Sequence, residues 1–116
     1  MNNLPIIKLI RGDTAVLHFH RLDYGGRIIQ EKANQMFFTV KKKFTDKGYI
    51  FQKTIDDIYF DKFFEYHITV NPDDTDGQSY GNYVYDVEVI DSEGQKRTIS
   101  RGIIELTSES TWVDNE

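Results

Sequence analysis

Alternation of apolar and polar residues with a period of two is the feature that most constrains what this chain can form. It is clearest in residues 64–70 and 83–89, where aromatic and aliphatic side chains occupy every second position. Residues 14–21 and 36–40 follow the same pattern. Because successive side chains of a β-strand point to opposite faces, such segments form strands with one buried and one solvated face. The chain therefore predicts an all-β protein.

Turn signals separate the alternating segments, the densest of them in residues 71–77. Its Asn, Pro, Asp and Gly residues each favour a turn for a different backbone reason. About seven short strands, with turns between them and no convincing helix, predict an antiparallel β-sandwich or a small barrel. We expect one domain over residues 1–107 and a polar C-terminal tail over residues 108–116. Gly102 is a candidate for a β-bulge inside the last strand.

One local spacing favours the immunoglobulin-like sandwich over the barrel. Gly81, Tyr83 and Tyr85 lead into a strand directly after an acidic turn. This resembles the tyrosine corner of immunoglobulin-type folds, in which a Tyr hydroxyl bonds back to the upstream backbone. Tyr83 would be the corner residue, and Tyr85 would take the core position that antibody domains give to a Cys. The alternative is that both are ordinary core tyrosines.

Composition excludes several classes of function. The chain has 116 residues and a formal net charge of -5, whereas a nucleic-acid backbone needs a cationic surface, so we expect no nucleic-acid partner. There are no cysteines, which excludes disulfide and thiolate chemistry. No apolar run approaches membrane-spanning length, and the first residues do not read as a signal peptide. We expect a soluble protein made in a cytoplasm.

Neither a nucleophile elbow nor a phosphate-binding loop is visible, so no catalytic or cofactor-binding residue is predicted. His18 and His20 stand two apart on one strand and share a face, and a third metal ligand would have to come from His67 or from a carboxylate. Two ligands without a third make no zinc site, so we expect no metal and two half-exposed histidines. A metal-dependent enzyme using these three histidines remains an alternative.

Two other motifs have ordinary structural explanations. The loop carrying Asp73, Asp74 and Asp76 lacks carboxylates at the first and last positions of a calcium loop, so a solvated turn is expected. Arg11-Gly12-Asp13 matches the integrin tripeptide. A three-residue match is common by chance, and Asp13 is expected to cap the start of a strand. What remains for function is surface: the edges of the sheets, and Trp112 on the tail, which either docks on the domain or anchors in a partner.

Several stretches together resemble small proteins of tailed-phage and prophage tail modules. The pattern is similar to the N-terminal immunoglobulin-like domain of phage baseplate upper proteins and to short stand-alone proteins of tail gene clusters. The stretches are Leu9-Ile10-Arg11-Gly12-Asp13-Thr14, Phe38-Thr39-Val40-Lys41-Lys42, Pro72-Asp73-Asp74-Thr75, Tyr80-Gly81-x-Tyr83-x-Tyr85-Asp86 and Thr111-Trp112.

The resemblance implies a non-enzymatic structural protein located in the virion, acting in the assembly of a tail or baseplate. Its partners would be other tail proteins or further copies of itself, and the family transfers no catalytic residue. The alternative is a monomeric β-sandwich that binds carbohydrate or a host surface. Exposed aromatic side chains such as Tyr24, Tyr49 and Tyr59 would support that alternative.

Overall fold

The computed structural model describes residues 4–108. Trp112, and with it the predicted contact of the tail, lies outside the described residues. Within them, no helix is long and apolar enough to cross a bilayer. The strands and the single short helix of this range follow in chain order: β1 Ile6–Ile10, β2 Ala15–His20, β3 Gln35–Lys41, β4 Phe51–Ile55, β5 Tyr59–Phe60, β6 Glu65–Val70, α1 Pro72–Asp76, β7 Gly81–Ile90 and β8 Lys96–Thr107.

The strands form two sheets. One has the order β1-β8-β7-β3-β4, and the other has the order β2-β6-β5. All pairings are antiparallel except the one between β1 and β8, which is parallel. One sheet thus contains β2, β5 and β6, and the other contains β3, β7 and β8. This is the arrangement of an immunoglobulin-like sandwich. The predicted fold class is therefore confirmed, with eight strands in the range 4–108 where about seven were expected.

The core lies between the two sheets and consists of their inward-facing alternate residues. Phe38, Tyr66 and Tyr85 are its largest wholly buried side chains. The rings of Phe19, Phe38 and Tyr85 meet at centroid distances of 5.9 to 6.4 Å in tilted arrangements. Aromatic pairs of this geometry contribute about 0.5–1.5 kcal/mol each beyond their buried area. They link the sheets through β2, β3 and β7, the strands that carry the disulfide and the Trp of antibody domains.

The acidic segment after β6 corrects one expectation, because it forms the short helix α1 rather than an irregular solvated turn. Asn71 precedes the helix, and its backbone N–H donates to Asp74 Oδ2 at 2.7 Å. Pro72 occupies the first turn, where its missing N–H would have no helical partner. Asp74 also pairs with Lys53 Nζ at 2.8 Å. The carboxylate of Asp74 therefore caps the helix and ties it to β4.

Gly102 is not at a bulge, which is a second correction. Gly102 pairs regularly with Tyr85, while the register shift skips Ile99, since Ser100 pairs with Val87 and Thr98 with Glu88. Glycine is required here because the backbone of Pro5 and the ring of Tyr85 approach this position closely. A Cβ at this position would lie 2.5 Å from the carbonyl oxygen of Pro5 and 2.7 Å from the Tyr85 ring.

Candidate functional site

The three predicted corner residues lie at the beginning of β7. Gly81 has a φ of 137°, a conformation that L side chains rarely adopt, and it redirects the chain from the loop after α1 into the strand. Tyr83 is buried, and its Oη donates to the backbone oxygen of Ser79 at 2.7 Å. Tyr85 is buried two residues further on. A hydroxyl bonded to the backbone four residues upstream is the geometry of a tyrosine corner.

The Arg-Gly-Asp tripeptide forms the turn between β1 and β2 and packs against this corner. Gly12 has a φ of 85°, and its N–H donates to Thr75 Oγ1 at 2.9 Å. Arg11 Nη1 donates to the backbone oxygen of Gln78 at 3.1 Å, and its guanidinium lies 4.2 Å from the Tyr80 ring centroid. The arginine is therefore engaged within the domain, which is a structural role for this turn.

Four side chains that are suited to metal ligation meet on the outer face of the three-stranded sheet. One ligand atom each from His18, Asp61, Glu65 and His67 lies within 4.8 Å of the others. We call these four residues the His–carboxylate cluster. His18 was predicted as a candidate together with His20, and the structure brings His67 and two carboxylates to it. His20 is outside the set, with its Nε2 at 3.6 Å from Glu65 Oε2.

Strand register explains the cluster. His18 on β2 and His67 on β6 are directly opposite each other in the antiparallel ladder, and their ring centroids are 4.1 Å apart. Glu65 precedes His67 by two residues and so shares its face. This part of the cluster follows from alternation once β2 and β6 are paired. Asp61 does not, because it lies in the turn before β6.

The turn that delivers Asp61 has an unusual backbone. Phe64 has a φ of 64°, the one positive value among non-glycine residues in the range 4–108. Its N–H donates to the backbone oxygen of Asp61 at 3.0 Å, which closes a tight turn. Asp61 Oδ1 then accepts the backbone N–H groups of Phe63 and Glu65, at 2.8 and 3.1 Å. The Asp61 carboxylate is thereby fixed beside His67.

Hydrogen bonding lowers the pKa of Asp61. Its Oδ2 lies 2.7 Å from His67 Nε2. This side-chain hydrogen bond is the main cause that lowers the pKa of Asp61 to about 2, with help from the backbone donors and against the effect of burial. Asp61 is therefore ionised at neutral pH. On the other side of the cluster, His18 Nδ1 lies 3.3 Å from Glu65 Oε1.

A surface groove adjoins the cluster. It has a volume of about 610 Å³ and extends from the outer face of the three-stranded sheet to the edge strand β4. Tyr59 lines it and stacks on His67, with ring centroids 4.2 Å apart and planes inclined by 20°. Asp57 and Asn71 add polar groups to its wall. The groove thus combines an aromatic surface with hydrogen-bonding side chains.

The tyrosines singled out for the carbohydrate alternative are all exposed, with Tyr24 at 107%, Tyr49 at 58% and Tyr59 at 61%. Each lines a different depression of the surface. None of these three depressions contains more than one of the three tyrosines. Of the three, Tyr59 alone stands beside the groove of the His–carboxylate cluster.

The outer face of the five-stranded sheet has an apolar row at its β1 edge. Ile6, Ile103 and Val84 are aligned in register across β1, β8 and β7. Ile6 is 59% exposed, and the other two are partly buried. On the next row of the same face, Lys8 pairs with Glu105. An apolar row beside charged neighbours is a feature of protein-binding surfaces.

Two further carboxylates have shifted acidities. Asp91 follows β7, and its Oδ1 accepts the backbone N–H groups of Gln95 and Glu93 at 2.9 and 3.0 Å. These bonds, led by the one from Gln95 and assisted by Arg97 and Arg21, lower the pKa of Asp91. This network holds the β7–β8 turn together.

Asp86 shifts the other way. It lies on the outer face of the five-stranded sheet, where burial first and then the neighbouring charge of Glu88 raise the pKa of its carboxyl group. Lys41 and Arg101 offset part of this effect.

The strand order, the corner and the aromatic core define the class of the protein as an immunoglobulin-like β-sandwich. No protein-family model matches the chain, and no curated protein matches it. Two surfaces of the domain carry features that bear on its function: the β1 edge, and the His–carboxylate cluster with its groove.

Proposed function

We propose that this chain is a non-enzymatic structural protein of a phage or prophage tail, which assembles with other tail or baseplate proteins through the β1 edge. The observation that carries the proposal is the character of that edge. β1 pairs with β8 on one side, and no described residue pairs with its other side. Its outward side chains include Ile6 and Ile10, which are 59% and 36% exposed.

An edge strand of this kind is an acceptor for a strand from another protein. Natural sheets usually protect their edges with charges, proline or very short strands. β1 has five residues, and among its outward side chains only Lys8 is charged. In strand addition, main-chain hydrogen bonds supply affinity and the alternate side chains supply specificity. The apolar row of Ile6, Ile103 and Val84 would extend onto the outward side chains of the added strand.

The arrangement of the residues that carry the family resemblance supports the proposal. The Arg11-Gly12 turn contacts Thr75 and Gln78, and Lys42 Nζ lies 4.5 Å from the Tyr83 ring centroid. Three stretches that are distant in sequence thus meet at one end of the sandwich. Their contacts hold the corner together, which fits a family whose shared residues are architectural and whose members act by assembly.

The first test is mass spectrometry of purified phage particles from the source bacterium. Finding the chain in fixed ratio to tail proteins is the expected result. The edge is tested with Ile6→Lys and Ile10→Lys, both at exposed positions that leave the core intact. Thr54→Lys on the opposite edge strand β4 is the matched control. We expect the β1 variants to be lost from particles and the control to be retained.

Two results would refute the proposal. Absence of the chain from intact particles would refute the structural role. If both β1 variants fold normally and are fully incorporated into particles, the β1 edge is not the contact used in assembly.

A carbohydrate-binding module is the second candidate, and the groove beside Tyr59 is the observation that favours it. An exposed aromatic ring that is stacked on His67, with Asp57 and Asn71 in the same groove, provides a platform and polar partners for a sugar ring. Glycan-array binding that is lost in Tyr59→Ala and kept in Tyr24→Ala would support this candidate. An array without any hit would exclude it for the glycans tested.

A further inference from the structure

We propose that the His–carboxylate cluster binds one divalent transition-metal ion, with Zn²⁺ as the test ion, through His18, Asp61, Glu65 and His67. The site lies on the outer face of the three-stranded sheet, whereas the β1 edge belongs to the other sheet. The inference is therefore independent of the proposed role in assembly.

The distances fit a single ion. Zinc is bound by imidazole nitrogen and carboxylate oxygen at about 2.0–2.2 Å, which places tetrahedral ligand atoms roughly 3.4 Å from one another. The four ligand atoms already lie within 4.8 Å of one another without an ion. His67 Nε2 and Asp61 Oδ2 are 2.7 Å apart and would have to separate slightly, while the more distant ligand atoms would have to approach.

The donor set indicates the class of metal. Two imidazoles with two carboxylates suit zinc and its neighbours in the first transition row. Calcium and magnesium prefer oxygen ligands alone, and the imidazoles of His18 and His67 make up half of this set. Thiolate-dependent ions are not served, since the chain has no cysteine.

Neighbouring residues hold the ligands of the cluster in place, as residues that contact the ligands do in known metal sites. Glu65 uses Oε1 toward His18, while its Oε2 faces His20 at 3.6 Å. Stacking on Tyr59 orients the ring of His67. Asp61 is oriented by the two backbone N–H groups that it accepts. Each of these ligands therefore has a partner that limits its rotation.

The four side chains of the cluster differ in their exposure to solvent, and His18 is the most exposed. The side chain of His18 is 46% exposed, whereas those of Asp61 and His67 are 15% and 16% exposed. An ion can therefore enter from the His18 side, and it would be partly shielded from water by the other ligands. Without metal, the same groups pair with one another, His18 with Glu65 and His67 with Asp61.

The test is isothermal titration calorimetry of the full chain, produced without a histidine tag, with ZnCl₂ at neutral pH. We expect one Zn²⁺ per chain and a rise in melting temperature when the ion is present. His18→Gln removes a ligand at an exposed position that the fold does not need. Because loss of a residue that merely orients a ligand weakens metal binding by 10–100-fold, loss of a ligand should cost at least about 100-fold. His67→Gln should give the same loss.

Glu105→Gln is the control, because it introduces the same Gln side chain on the other sheet and touches no residue of the His–carboxylate cluster. Its affinity for Zn²⁺ should equal that of the wild-type chain. Absorption spectra with Co²⁺ give an independent measurement, in which the four-ligand set predicts the intense visible bands of tetrahedral cobalt. The inference is overturned if the folded wild-type chain takes up no Zn²⁺, if His18→Gln binds as tightly as the wild-type chain, or if the Co²⁺ spectrum is octahedral.

Discussion

Replacing Tyr83 by Phe removes one oxygen atom from the corner and leaves the ring in place. The lost Oη donates to the backbone oxygen of Ser79 at 2.7 Å, a short bond in a partly buried setting. A typical hydrogen bond contributes about 0.5–1.5 kcal/mol, and a partner left unsatisfied adds to the loss, so we expect about 1–2 kcal/mol. For a domain of this size the melting temperature should fall by about 5–10 °C.

Tyr85→Phe is the matched control, since it deletes the same atom from a neighbouring buried tyrosine. Tyr85 Oη lies 3.3 Å from Ser100 Oγ, a long contact between two hydroxyl groups. The control should therefore lose less than about 0.5 kcal/mol, below the range of a full hydrogen bond. Urea unfolding followed by far-ultraviolet circular dichroism measures both. Equal losses in the two variants would refute the assignment of Tyr83 as the corner residue.

Three further predictions concern packing and charge. Gly102→Ala should destabilise the fold by about 1–3 kcal/mol in urea unfolding, because its Cβ would collide with the backbone of Pro5 and the Tyr85 ring; unchanged stability would contradict the close approach. The folded-state pKa of Asp91 is lowered from 3.8, so its stabilisation is complete above that pH and lost as the pH falls through the folded value; the stability gap between wild type and Asp91→Asn should close in acid. The pKa of Asp86 is raised from 3.8, so its ionised carboxylate destabilises the folded state at neutral pH. Asp86→Asn should therefore be more stable than wild type at neutral pH, and the difference should disappear below pH 3.8. Melting temperatures across a pH series would show this.

The inward faces of the strands were predictable because alternation reports burial directly. Met36, Phe38 and Val40 are buried as the pattern on β3 requires, and Tyr66 and Ile68 are buried on β6. Strand pairing is not contained in a single segment. Sequence therefore predicted the sandwich without its order, and it did not predict the parallel attachment of β1 to β8.

Short-range ambiguity explains the two corrections. Asn71 and Pro72 favour a turn and the beginning of a helix for the same reasons, so the sequence predicts a turn where the structure has the five residues of α1. Gly102 could mark either a bulge or a close approach of two backbones, and only the position of Pro5 distinguishes them.

The His–carboxylate cluster was within partial reach of the sequence. His18, Glu65 and His67 share the outward face of two strands, so pairing β2 with β6 is sufficient to bring them together. The position of Asp61 depends on the positive φ of Phe64. No residue pattern predicts this angle, because a bulky side chain seldom adopts that conformation. Asp61 could therefore be identified as a member of the cluster only from the structure.

The aromatic contacts of Phe19, Phe38 and Tyr85 have a consequence for where the domain can mature. In antibody domains the corresponding link between the sheets is a disulfide bond, which forms only when two thiols are oxidised. Here the link is three rings, and the chain contains no cysteine. Thiol reductants and oxidants therefore act on no cross-link of this domain, and it reaches its final core by packing alone. A copy of the domain that folds in a reducing compartment needs no later cross-linking step when it enters an oxidising one.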